Sequence, residues 1–127
     1  MANVFTRKTQ RAIGTSTTAI ESYTPAGGVV ATVIGLSVAN IDANNNIQVD
    51  VELYDGANTT YLMKNAPVPI GSAVVVVGGD QKLVLTNGDY VRVTSDTESS
   101  VDAILSVLEI NLLVLSLLNF LLIPKFF

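Results

Sequence analysis

The clearest pattern in the chain lies between Ile47 and Tyr54. Ile47, Val49, Val51 and Leu53 alternate with Gln48, Asp50, Glu52 and Tyr54. A period of two puts the apolar side chains on one face and the polar ones on the other. It predicts a half-buried antiparallel strand. A slip of one residue would bury two acids, so the register is fixed, with Val49 and Val51 inside and Asp50 and Glu52 in solvent. Asp55-Gly56 turns the chain, and Thr59 to Met63 is expected to return as a short strand.

Similar runs recur at short spacing. Thr15 to Tyr23 predicts a first strand, and Pro25-Ala26-Gly27-Gly28 a loop. Val29 to Ala39 predicts a second strand, with Ile34, Leu36 and Val38 on one face and Gly35, Ser37 and Ala39 on the other. The small-residue face suits close approach of a neighbour, or solvent. Asn65 to Gly71 holds Pro67 and Pro69, which remove two donors, so it is expected as an extended crossover rather than an interior strand. Ala66 to Ser95 then contains three runs: Ser72 to Val77, Lys82 to Thr86 and Tyr90 to Thr94. Gly78-Gly79-Asp80 and Asn87-Gly88 separate them, and both breaks are hairpin signals, so a three-stranded meander is expected. Val101, Ala103, Leu105 and Val107 alternate as a final strand would. Ile104 and Leu108 on its other face call for a second cover.

Two segments break the pattern at the ends. Residues 1–14 show no strict period and mix Val4 and Phe5 with Arg7, Lys8 and Arg11. They are expected to be an arm, either a free terminus or a segment that orders on a neighbouring subunit. Residues 111–127 form an apolar extension. Ile110 to Ile123 is fourteen residues without a charge, and a switch from valine to leucine favours helix. Fourteen helical residues span about 21 Å, short of the ~30 Å hydrocarbon core of a membrane. Three readings are open: a membrane anchor, an apolar helix buried in an oligomer, or an extension absent from the mature protein.

Composition narrows the chemistry. There is no Cys and no His, so the usual nucleophile–base pairs, thiolate metal sites and imidazole ligands are missing. Asp42-Ala43-Asn44-Asn45-Asn46 imitates the start of a calcium loop. Ile47 stands where that loop needs glycine and Leu53 where it needs a bidentate Glu, so an Asn-rich turn is expected instead. Asp50 and Glu52 sit two apart on one strand face, whereas an acid–base pair usually faces across a cleft. No enzyme, cofactor or metal is expected. No secretory signal is expected either, since residues 1–20 lack a continuous apolar segment. The net charge is −4, yet three of the seven positive charges fall in the first eleven residues, where there is no acid. A basic arm on an acidic body suits an acidic neighbouring subunit; three charges are too few to point to nucleic acid.

The stretch APVPIGSAVVVVGGDQKLVLTNGDYVRVTS, then SSVDAILSVLEI, with MANVFTRKTQRAIGTSTTAI at the start, resembles a group of small virion structural proteins of tailed bacteriophages, marine ones especially. The resemblance covers about residues 1–110 and rests on turn and strand patterns. It implies a location in the virion, other virion proteins as partners, and assembly as a homo-oligomer. The expected fold is an all-β antiparallel sandwich of seven or eight strands, immunoglobulin-like or jelly-roll-like, over residues 15–110, with the C-terminal extension helical. The expected function is non-enzymatic: a capsid decoration or cement protein, or a neck, tail or baseplate accessory. The alternatives are a surface-displayed module for carbohydrate or a receptor, and a small membrane-anchored β protein. The lack of Trp counts against a carbohydrate platform. The expected assembly contacts are Val4, Phe5, Arg7, Lys8 and Arg11.

Overall fold

The structure, a computed structural model, describes residues 3–111. The expectations for the apolar extension beyond Asn111 lie outside the described residues. Nine strands form two antiparallel sheets: β1 Asn3–Ile13, β2 Thr18–Ala19, β3 Val29–Asn40, β4 Ile47–Tyr54, β5 Thr59–Val68, β6 Ala73–Val77, β7 Leu83–Leu85, β8 Tyr90–Ser95 and β9 Val101–Asn111. The five-stranded sheet runs β1-β9-β3-β6, with β7 also on β3; the four-stranded sheet runs β2-β8-β4-β5. Val33, Val38, Leu105 and Val107 from the first sheet share one buried cluster with Ile47, Val49, Val51 and Val93 from the second. This is a β-sandwich, as alternation in β4, β8 and β9 predicts.

Several expectations need correction. Residues 3–13 are not a free arm: they form strand β1, paired along β9 from Asn3 opposite Ile110 to Gln10 opposite Ala103. The first strand expected over Thr15–Tyr23 shrinks to two residues, followed by a 3-10 turn over Ile20–Ser22. In β3 the phase flips. The register with β9 shifts between Val33 and Gly35, so Ile34 turns outward while Ala31, Val33, Leu36 and Val38 point in. A bulge adds one residue to one strand and reverses every face assignment beyond it.

The meander does not form. β6 and β7 both run antiparallel to β3, along Leu36–Ala39 and Ala31–Val33 respectively. They are two pieces of one edge strand interrupted at the Gly78-Gly79 loop. The Asn87-Gly88 turn then carries the chain to the other sheet, where β8 pairs with β2 and β4. Gly88 has φ +96°, and Asp89 closes the turn by accepting the Thr86 N–H at 2.8 Å. Pro67 does lie in a strand, β5, opposite Gln48, but β5 is an edge, where a missing donor costs no ladder bond.

Glu52 is the other departure. It points away from the core, as its phase demands, yet only 5% of it is exposed. Arg92, opposite it on β8, donates from Nε at 2.8 Å and also from its second nitrogen. The Arg92 guanidinium lies 3.9 Å from the Tyr54 ring centre, closing the ion pair on a third side.

Candidate assembly surface

The two sheets differ in their outer faces. The outer face of the four-stranded sheet is charged and aromatic. It carries the Glu52–Arg92 pair, Asp50 with Lys64 at 3.1 Å, and the tyrosines Tyr54, Tyr61 and Tyr90. The bond to Asp50 holds the Lys64 ammonium above its ordinary pKa. Lys64 lies 4.6 Å from the Tyr61 ring centre, as Arg92 does over Tyr54 at 3.9 Å, so two of the three rings are covered by cations of the same chain.

The outer face of the five-stranded sheet is apolar. Pairing and alternation place side chains in rows across it. One row runs Phe5 on β1, Leu108 on β9, Thr32 on β3 and Val84 on β7. Another runs Thr9, Ile104, Ser37 and Val75. Phe5 is 73% exposed, Val75 69%, Val84 57% and Ile104 47%. Between the rows, Ser106 lies opposite Gly35, and a shallow groove opens above it with Phe5, Arg7 and Ile34 in its lining. Apart from Arg7, and Arg11 with Asp102 at one end, the rows carry no charge. Strands ~3.3 Å per residue and ~4.8 Å apart give this whole face, with Thr9, Thr32, Ser37, Ser106 and Arg7 among its apolar side chains, a footprint of roughly 700 Å². One partner in a standard interface contributes about 800 Å².

The five residues expected to make assembly contacts all fall on β1, but the structure spreads them. Phe5 and Arg7 lie on the apolar outer face, opposite Leu108 and Ser106. Val4 and Lys8 turn the other way; Lys8 reaches Glu21 at 3.6 Å and lies 5.3 Å from the Tyr23 ring centre. Tyr23 donates its hydroxyl to Glu109 at 2.5 Å, and burial first, then that carboxylate, pushes its pKa well above the ordinary phenol value. Arg11 sits in the break between Gln10 and Ile13. Sequence reasoning missed Val75, Val84 and Ile34. The small residues Gly35, Ser37 and Ala39 were the available signal, and they do face outward, with Ile104 opposite Ser37.

No other chemistry gathers. Among the described residues no group of three or more His, Cys, Asp or Glu is placed to hold a metal. The Asp42 loop is a turn: Asp42 accepts the N–H groups of Asn44 at 2.8 Å and Asn45 at 3.1 Å. The Asn44 N–H first, then the Asn45 side-chain amide and N–H, hold its carboxyl below the usual range. Glu98 is lowered in the same way, by the hydroxyl and then the N–H of Thr15. No helix among the described residues is long and apolar enough to cross a membrane.

No protein-family model matches the sequence, and no curated protein matches it. Among solved structures the chain is similar to a Bacillus endospore appendage protein, from work describing a family of disulfide-linked pili. The two are 12% identical, with 87% of this chain and 89% of that chain covered, at a TM-score of 0.53. At that identity the likeness is one of fold. A pentameric capsid protein isolated from metagenomic phage sequences also matches, at 23% identity over 87% of this chain and 60% of that one, with a TM-score of 0.36.

Proposed function

We propose that this chain is a non-enzymatic structural subunit that packs into a repeated assembly through the outer face of its five-stranded sheet. The observation that carries the reading is the contrast between the two outer faces. One is covered by ion pairs and cation-capped rings; the other presents Phe5, Ile104, Val75 and Val84 with almost no charge. Clusters of large exposed apolar side chains with little charge around them mark interaction sites in proteins that fold alone. The fold it shares with the appendage protein is compatible with such a role. This chain has no cysteine, so its assembly is held without disulfides.

A virion is the setting that the sequence resemblance supports. Within it, a capsid decoration protein or a neck, tail or baseplate accessory fits a small subunit whose work is buried surface. The partners are then other copies of the chain and other virion proteins.

The test is the full-length double variant Phe5→Asp/Ile104→Lys. Phe5 is largely exposed and Ile104 half-buried, so the melting temperature should fall by no more than about 5 °C. Self-association measured by sedimentation velocity should weaken at least tenfold. Unchanged association of a normally folded double variant would refute the assignment of this face.

A further inference from the structure

β1 contributes eleven residues to the five-stranded sheet, yet Ile13 is the one core side chain it supplies. Residues 3–10 are held by main-chain pairing to β9 and by surface contacts: Lys8 to Glu21, and the Glu21 N–H to the Gln10 amide oxygen at 2.9 Å. The ladder then breaks between Gln10 and Ile13. Ala12, in the break, has φ +55°, the left-handed region where an L side chain crowds its own backbone. Its N–H is held by the Asp102 carboxylate at 2.9 Å.

Immediately beyond the break the chain is fastened. Ile13 is buried, and its carbonyl accepts the Ser100 N–H at 3.0 Å. The Gly14 carbonyl accepts the Ser95 N–H at 2.9 Å. Glu98 closes over this point, its carboxylate accepting the Thr15 N–H at 2.7 Å. The result is a fixed point at 13–14, a strained joint at 11–12, and a strand beyond the joint that buries no core side chain.

We propose that β1 is exchanged between copies: residues 3–10 of one chain pair with β9 of a second copy. Every contact that residues 3–10 make to β9 and to Glu21 is available unchanged to the same strand from another chain. Extending Ala12 to ordinary strand geometry releases its left-handed conformation and swings out eight residues, a reach of about 26 Å at ~3.3 Å each. Phe5 and Arg7 on the apolar outer face are then supplied by the neighbour, so that face is completed in trans. An exchange that closes on itself gives a ring, and one that does not gives a filament. This inference rests on the assembly reading given above.

The chain has no cysteine, which makes the test clean. The Thr9 N–H turns to Glu21 Oε1 at 3.4 Å, away from β9. Thr9 and Ile104 therefore form a non-hydrogen-bonded cross-strand pair, with Cα atoms ~4.5 Å apart, within disulfide range. Two full-length variants, Thr9→Cys and Ile104→Cys, are mixed reduced, left to associate and then oxidised. A disulfide between residues 9 and 104 forms in this mixture only between chains. Peptide mass spectrometry should find it at least tenfold above the 9–9 and 104–104 products of collision and above the 9–37 product of a parallel Thr9→Cys and Ser37→Cys mixture, where Ser37 shares the outer row with Ile104 and only face-to-face packing could join the sulfurs. Association with the 9–104 disulfide no more abundant than those products overturns the exchange alone. Failure of the wild-type full-length chain to associate in sedimentation velocity overturns the exchange together with the assembly reading.

Discussion

Val51→Asp is expected to abolish cooperative folding, or to leave a domain that melts near room temperature. Val51 has no exposed surface and lies opposite Val93 on β8 and Met63 on β5. A carboxylate there loses its water and gains no partner, a penalty of several kcal/mol. Domains of this size are stable by only about 5–15 kcal/mol, so the loss takes a large share of the total. Gln48→Asp, on the exposed face of the same strand, is the control and should cost no more than about 0.5 kcal/mol. Urea denaturation followed by circular dichroism separates the two. A Val51→Asp chain that unfolds cooperatively with the wild-type midpoint would contradict the register of β4.

The second large effect is on the other side of the same strand. Arg92→Leu should destabilise the domain by about 1–3 kcal/mol, below the ~3–5 kcal/mol of a fully buried pair because the Arg92 side chain is itself 26% exposed. Without Arg92, the Glu52 carboxylate keeps only the Thr59 hydroxyl, at 3.3 Å. Replacing both partners, as in Glu52→Met/Arg92→Leu, should recover most of the loss, because two apolar side chains leave no buried charge behind. Equal destabilisation by the single and double variants would show that packing of the Arg92 stem, and not the ion pair, supports this face. Urea midpoints at constant slope report the difference.

Glu52 also marks where sequence reasoning stops. Alternation gives the direction of a side chain, so Val49 and Val51 are readable as inside and Asp50 and Glu52 as outside. It does not say what lies over the outward ones, and Arg92, forty residues away, covers Glu52. β3 fails differently. Its apolar residues are visible, but the bulge at Ile34 reverses their phase, and a period of two carries no sign of an inserted residue.

Turn residues mark where the chain bends but not which sheet the next strand joins. Gly78-Gly79 interrupts one edge strand, and Asn87-Gly88 bridges the two sheets; each has the composition of a hairpin. β1 resembles an arm in sequence because main-chain hydrogen bonds hold it, and those leave no trace in residue types. Of the proposed assembly surface, Phe5, Arg7, Ile104 and Leu108 were visible from sequence. Val75 and Val84 were not, since only their pairing to β3 puts them beside the others.

Electron cryo-microscopy of the proposed assembly of the full-length chain tests the central claim most directly, because it shows which outer face meets the neighbour. The account predicts contacts through Phe5, Ile104, Val75 and Val84, with the Glu52–Arg92 face turned to solvent. An assembly joined through Tyr54, Tyr61 and Tyr90, with Phe5 and Ile104 left in solvent, would contradict it.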